Sequence, residues 1–295
     1  MTAALNACLH QPEAGPVNHR KESSISAVVG QCRALPPMPE ILARAREVMA
    51  DENASFSEID KVLETDRAMA TRLLRLANSA YYGLSIPIST VQQAAAVLGV
   101  QTIYEILIVV SSSKMISRQI KGYGLSAREV WEHSLSVAYG GKFLAEKLFP
   151  ELVNDAFMAG LIHDAGLLLL DPHIQEHSER IQAHFAEGGT IYETEMEIFG
   201  FDHGELAAHY LPQWKLPANQ IHAVRFHHNP SMSGNDILSY ILHVADFIGR
   251  GGNLEWHLTL DDTALFEIGL TSEELEVLAD EVESSIDQVI EGLRL

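Results

Sequence analysis

Cysteine is nearly absent from this 295-residue chain. Cys8 and Cys32 are the two it has, and neither belongs to a Cys-x-x-Cys pair. A disulfide framework and a thiolate zinc finger are therefore both excluded. Basic residues are scarce as well: 20 Lys and Arg stand against 40 Asp and Glu, a formal charge of −20. No stripe of Lys and Arg exists to displace counterions from a phosphate backbone, so a nucleic-acid partner is not expected. From Glu255 onward Arg294 is the only Lys or Arg, which makes that end a poor surface for any anionic partner. Long apolar runs are missing too. Stretches such as Ile106–Val110 are core-sized and far short of the roughly 18 residues of a membrane span. Residues 1–24 lack a basic start followed by an apolar segment, so they read as a mobile leader and not as a signal peptide. A cytoplasmic protein with no membrane partner is the expectation.

Strand signals are also lacking, with no sustained alternation and no Asn-Gly hairpin. Helical periodicity takes their place. Ile41, Leu42, Ala45, Val48 and Met49 share one helical face. Ser55 and Glu58 have capping-box spacing and open a helix through Ile59, Val62 and Leu63. Met69–Asn78 is a third helix, and Ser89 with Gln92 caps a fourth that ends at Gly99. A polar seam around Lys121–Gly124 separates an N-terminal lobe, 25–120, from a second lobe, 125–295. Ser126 and Glu129 begin the next helix. Further helices are expected over 155–170, 173–187, 190–199, 203–211, 218–228 and 235–249. A last one from Thr271 presents Leu275, Leu278, Val282, Ile286, Val289 and Leu293 on one face. The fold class is all-α, a multi-helix bundle with an N-terminal helical lobe.

Within this apolar background stands the doublet His163-Asp164, in the run Ala-Gly-Leu-Ile-His-Asp-Ala-Gly-Leu-Leu-Leu-Leu. A carboxylate and an imidazole inside a buried helix are costly without a counter-charge, a hydrogen-bond network or a metal ion. Candidate partners are His133, His203, the pair His227-His228 and Asp246, which lie on or at the ends of different expected helices. Such nitrogen and oxygen donors suit iron, manganese, zinc and similar metals, and a carboxylate such as Asp164 can bridge two ions. Each residue alone has a plainer explanation. A single His on an apolar face is usually a hydrogen-bonded core residue. Glu129 fits a capping box with Ser126 as well as it fits a ligand role. His227-His228, before Asn229-Pro230, could simply end a helix, and His243 could be the hydrogen-bond partner of Asp246.

The order His, His-Asp, His, His-His, Asp resembles the HD superfamily of metal-dependent phosphohydrolases. His133, His163, Asp164 and Asp246 match its minimal ligands. His203, His227 and His228 match the additional ligands of binuclear relatives such as HD-GYP phosphodiesterases. Glu129, four before His133, matches a glutamate that some of these use for a further ion. A second set of blocks resembles the N-terminal lobe of the HDOD family, the HD-related output domains of bacterial signalling. These are Leu35-Pro36-Pro37-Met38-Pro39, Asp66 to Ser79, Ala80-Tyr81-Tyr82-Gly83, Ile88-Ser89-Thr90 and an alanine-rich helix to Gly99. Trp131-Glu132-His133-Ser134 and Gly160–Asp164 continue the pattern, which spans roughly residues 25–250.

The resemblance implies a divalent metal cofactor, single or binuclear, with iron or manganese favoured. It also implies a signalling output role through a signalling protein or a small phosphorylated ligand. The alternative it implies is a metal-dependent phosphohydrolase of a nucleotide, cyclic dinucleotide or other phosphoester, with Asp164 as the catalytic residue. Two departures weigh against the alternative. Relatives that hydrolyse cyclic dinucleotides carry a lysine three residues after the aspartate of the doublet, where this chain has Leu167. Their Gly-Tyr-Pro loop after the histidine pair is replaced by Asn229-Pro230-Ser231-Met232. A lost phosphate contact removes transition-state charge stabilisation, commonly the largest catalytic contribution. Arg225 is the nearest sequence candidate to supply one, or else an ordinary surface arginine. The Asn78–Gly83 segment is expected at the interface between the lobes, beside the metal pocket.

Overall fold

A computed structural model of the protein describes residues 67–116, 119–187, 189–249, 260, 261 and 263–293, with a few isolated residues before them. The leader, the Leu35–Pro39 block, the Ile41–Met49 face and the Ser55–Glu58 cap lie outside the described residues. What is described is helical. The sole pairing of extended backbone among those residues is an antiparallel bridge between Ile120 and Leu125, which closes the seam into a turn.

The N-terminal part comprises α1 (Arg67–Ala77), α2 (Val91–Leu98) and α3 (Val100–Ile116). The cap of α2 is one residue later than its sequence suggests. Thr90 accepts from the Gln93 amide, and the Gln93 side chain returns to the Thr90 amide. Helix α3 was not among the expected elements. Ile103, Tyr104 and Ile106 to Val110 are all buried, so it shows no polar stripe by which a helical period could be recognised. Asn78 clamps the chain that follows α1. Its amide donates to the Ile88 carbonyl at 2.8 Å and accepts from the Ile88 N–H at 2.7 Å. The Tyr81 and Tyr82 rings then pack edge-on, and Tyr81 meets Tyr139 at 5.4 Å.

The central strut is α4 (Ala127–Leu148), capped by Ser126 and Glu129 in a full capping box. Around it pack α5 (Val153–Ile162), α11 (Ile237–Gly249) and the long α13 (Ser272–Leu293). Helix α13 also covers α1 and the turn at Ala80–Tyr82, so it joins the two parts of the molecule. Helices α6 (Ala165–Gln175), α7 (Ser178–Ala186), α8 (Ile191–Phe199), α9 (His203–Tyr210), α10 (Ala218–Phe226) and the short α12 (Ala264–Ile268) complete the bundle.

The single helix expected over 155–170 is instead two, α5 and α6. His163 and Asp164 form the joint: His163 Nδ1 donates back to the Gly160 carbonyl at 2.7 Å, and Asp164 sits at φ −88°, ψ 10°. The second of these helices runs on to Gln175, so the one expected from 173 begins instead at Ser178. The segment Pro150–Gln175 has the length and mean hydropathy (1.3) of a membrane span, but 72% of its apolar window is buried inside the protein.

Candidate metal centre

Five separate places in the chain deliver side chains to one buried point: α4 (His133), the α5–α6 joint (His163, Asp164), the start of α9 (His203), the end of α10 (His227, His228) and α11 (Asp246). Close backbone approach makes this convergence possible. A Cβ on Gly166 would stand 1.9 Å from the His203 carbonyl oxygen, and one on Gly204 would stand 2.7 Å from that of Val224. Only glycine lets α6 meet α9 and α9 meet α10 at these distances.

Four residues form the first group. His133 Nε2 lies 3.1 Å from His163 Nε2, 3.4 Å from Asp164 Oδ2 and 3.2 Å from Asp246 Oδ1. His163 Nε2 is 3.1 Å from Asp164 Oδ1 and 3.8 Å from Asp246 Oδ1. Ligand atoms held at about 2.0–2.2 Å from one ion are separated by about 3.0–3.5 Å, so these spacings suit a shared cation. A second group, His203, His227 and His228, places its donor atoms within 4.8 Å of one another. Asp164 Oδ1 is 2.9 Å from His203 Nε2 and 3.9 Å from His227 Nε2, so this carboxylate lies between the two groups.

The tautomers decide what the cluster can hold. His163 Nδ1 faces the Gly160 carbonyl at 2.7 Å and His227 Nδ1 faces the Val224 carbonyl at 2.7 Å. A carbonyl only accepts, so both Nδ1 atoms carry hydrogen, assigned here from the hydrogen-bond network. His203 Nδ1 likewise faces the Glu195 carboxylate, at 2.9 and 3.1 Å. Each neutral ring therefore turns an Nε2 lone pair toward the carboxylates and the other rings. His227 Nε2 and His228 Nδ1 are buried and have no hydrogen-bond partner among the described residues. His133 Nδ1 faces the Gly249 carbonyl at 3.4 Å, so its Nε2 also presents a lone pair, 3.1 Å from that of His163, and the two repel unless a proton or a metal ion lies between them. The donor set, all imidazole and carboxylate, fits a divalent ion of the iron, manganese or zinc type.

Protons are the competing occupants. Burial works against the charged form of His163, but the Asp164 and Asp246 carboxylates outweigh it and raise its pKa. Burial likewise opposes a charge on His203, yet Glu195 and Asp164 hold its pKa well above the ordinary imidazole value. Asp164 is held well below the carboxylate range, because His163 and His203 overcome the burial that would raise it. His227 is pushed well down by burial and by the neighbouring rings of His228, His163 and His203.

All seven expected ligands thus come together. Glu129 does not join them: it is exposed, and its carboxylate accepts from the Ser126 amide at 2.8 Å as the cap of α4. His243 pairs differently from its sequence expectation, donating from Nδ1 to the His227 carbonyl at 2.6 Å and accepting the Asp261 N–H at Nε2. Leu167 is fully buried in α6. Arg225 is half-exposed, stacked on Phe226 and 3.8 Å from Glu205. Among the described residues, Tyr81 makes its ring contacts with Tyr82 and Tyr139 and none with the histidine cluster.

Sequence reasoning missed the outer partners. Glu195 is fully buried and binds His203 through both its main-chain N–H and its ring, while Tyr123 donates to the same carboxylate. Asp202 caps α9 through the Glu205 amide and lies 3.6 Å from His228 Nδ1. The one sequence signal for Glu195 is its position eight residues before His203, which identifies nothing on its own.

Comparison with known proteins bears on the family and the fold. The HDOD domain family model matches residues 35–230. An uncharacterised protein of Treponema pallidum (strain Nichols) is 24% identical over 199 residues, covering 66% of this chain but only 38% of that protein's length. Among solved structures, an HDOD domain protein of unknown function from Geobacter sulfurreducens aligns with a TM-score of 0.75 at 23% identity, over 94% of this chain and 98% of that one. A candidate phosphohydrolase from Shewanella amazonensis SB2B aligns at 0.69 and 22%, over 93% and 98%. A candidate signal transduction protein from Marinobacter aquaeolei VT8 aligns at 0.68 and 20%, over 93% and 64%. Those structural likenesses establish the shared helical fold, and with the family match over residues 35–230, this chain belongs to the HDOD domain family.

Proposed function

We propose that this protein is a signalling output module whose histidine–aspartate cluster holds one or two divalent ions and acts through a protein partner or a bound phosphorylated ligand. The observation that carries the metal assignment is the set of ring Nε2 atoms whose Nδ1 atoms are already committed as donors, gathered around Asp164. His133, His163, Asp164 and Asp246 would hold one ion. His203, His227 and His228 would hold a second, with Asp164 shared between them. Such ions, when bound, supply positive charge that attracts and polarises a phosphoryl oxygen.

Binding is favoured over turnover because, among the described residues, an apolar side chain fills the place of the cation that a phosphodiesterase would use. Leu167 occupies that place and is buried, and Arg225 is engaged at the surface. A second reading, phosphoester hydrolysis with Asp164 orienting the ions, is supported by the position of Asp164 between the His133, His163 and Asp246 side chains and those of His203 and His227. The two readings separate in one assay. Metal-loaded protein is incubated with cyclic dinucleotides and with bis(4-nitrophenyl) phosphate, beside Asp164→Asn. The regulatory reading expects no rate above that of the variant. Turnover that Asp164→Asn abolishes would overturn it and establish a phosphohydrolase.

A further inference from the structure

Glu195 lies outside both ligand groups, yet it is the fully buried carboxylate against which His203 is built. Buried glutamate is rare without partners that satisfy its oxygens. Here Oε2 accepts the His203 main-chain N–H at 2.7 Å and the His203 Nδ1–H at 2.9 Å, and Oε1 accepts the Tyr123 hydroxyl. The main-chain bond could be explained as capping of α9, a task Asp202 already performs through the Glu205 amide. Capping explains neither the bond to the imidazole nor the tyrosine. The bond to Nδ1 fixes which nitrogen of His203 faces Asp164, and the carboxylate charge raises the donor strength of that nitrogen.

Tyr123 comes from a different part of the chain, the turn between α3 and α4 that the Ile120–Leu125 bridge closes. That turn is seated on α6: the Gly122 N–H donates to Asp171 Oδ1 at 2.6 Å, and a Cβ on Gly122 would strike Ile174 at 2.3 Å. The inter-lobe turn is thereby in hydrogen-bonded continuity with one histidine of the cluster, through Tyr123, Glu195 and His203.

We infer that Tyr123 and Glu195 are positioning residues for the metal centre, an outer pair that orients His203 and ties ion affinity to the inter-lobe turn. The inference rests on the metal-binding reading above. Neither residue touches the ion; Tyr123 acts through Glu195, and Glu195 acts through His203. Loss of such an outer carboxylate typically weakens metal binding about ten- to hundred-fold.

The test uses the full chain, stripped with chelator and titrated with Mn²⁺ and with Co²⁺ against a competing chelator. The Co²⁺ visible absorption is recorded, and metal-free melting is followed by circular dichroism. Glu195→Gln is expected to weaken binding about ten- to hundred-fold and to change the Co²⁺ spectrum. Tyr123→Phe is expected to weaken it less, and to add nothing further when placed on Glu195→Gln. Tyr139→Phe removes another buried hydroxyl, on a ring packed edge-on against Phe157 and Tyr81, and controls for general loss of a core polar group. Wild-type affinity and an unchanged spectrum in both variants would overturn the inference while leaving the metal reading intact. Equal weakening by Tyr139→Phe would also overturn it. Failure of the wild type itself to bind either ion would overturn the metal reading, and the inference with it, before any variant is measured. If Glu195→Gln does not fold, Tyr123→Phe alone decides: an affinity equal to wild type refutes, and a weakened one with normal melting supports.

Discussion

Removing metal should change how the stability of this protein responds to pH, and the direction follows from the cluster. His163 and His203 have raised pKa values, so the stability they contribute is complete below the ordinary imidazole value of about 6.5. It is lost as pH rises through their folded values. Between about pH 6.5 and those folded values, the metal-free native state holds two protons that the unfolded chain has released. Each such proton changes stability by about 1.4 kcal/mol per pH unit, so metal-free protein loses up to about 2.7 kcal/mol per unit. The loss halves where only His203, the more strongly raised, still holds its proton. Metal-loaded protein carries neither proton, so these two groups contribute almost no slope in the same range. Below about pH 6.5 the order reverses, since the unfolded chain takes up protons that bound metal excludes. Asp164, held well down, contributes stability above the carboxylate range that is lost only in strong acid, so it leaves this window alone. The assay is urea unfolding at pH 6, 7 and 8, once with EDTA and once with excess Mn²⁺. The two stabilities should diverge as pH rises and converge as it falls. Parallel curves would refute the assignment of these rings as sites where protons and metal compete.

Gly166→Ala places a methyl group where the His203 carbonyl stands, 1.9 Å away, and forces α6 and α9 apart. A stability loss of about 1–3 kcal/mol is expected in thermal unfolding, together with weaker metal binding. Glu129→Ala should cost about 1 kcal/mol as a lost cap and leave metal affinity unchanged in a chelator competition; a lost ion would make Glu129 a ligand after all. Asn78→Ala removes both hydrogen bonds to Ile88, and unfolding should show a loss of about 1–2 kcal/mol with the metal centre unaltered.

What the sequence disclosed was decided by cost. A histidine or aspartate amid leucines is expensive to bury, so His163-Asp164 and its companions stood out, and all seven meet in the fold. The long α13 was equally legible, because one face meets the core and the other meets water, leaving a 3.6-residue stripe. Helix α3 was not, since it is buried on every side and its run of Ile and Val carries no helical signature. The joint between α5 and α6 was hidden for a related reason: the break is made by a hydrogen bond from the His163 ring to the Gly160 carbonyl, with no proline or positive-φ glycine to announce it. Tyr123 and Glu195 are 72 positions apart, and only the packed fold reveals that the two share a hydrogen bond. Helical spacing makes Asp246 one candidate partner of His243, but the end of α10 and the segment before α12 supply the partners of its two nitrogens.

The most direct measurement of the central claim is the metal content of the full chain, purified without chelator under reducing conditions and compared with Asp164→Asn. Asp164 has its two oxygens within 3.4 Å of His133, His163 and His203, so the variant withdraws a ligand from both groups at once. Elemental analysis should find about one to two equivalents of a divalent ion such as iron or manganese in the wild type, and a large fraction of that lost from the variant. A wild-type protein with no stoichiometric metal, or an Asp164→Asn protein that retains all of it, would contradict the account.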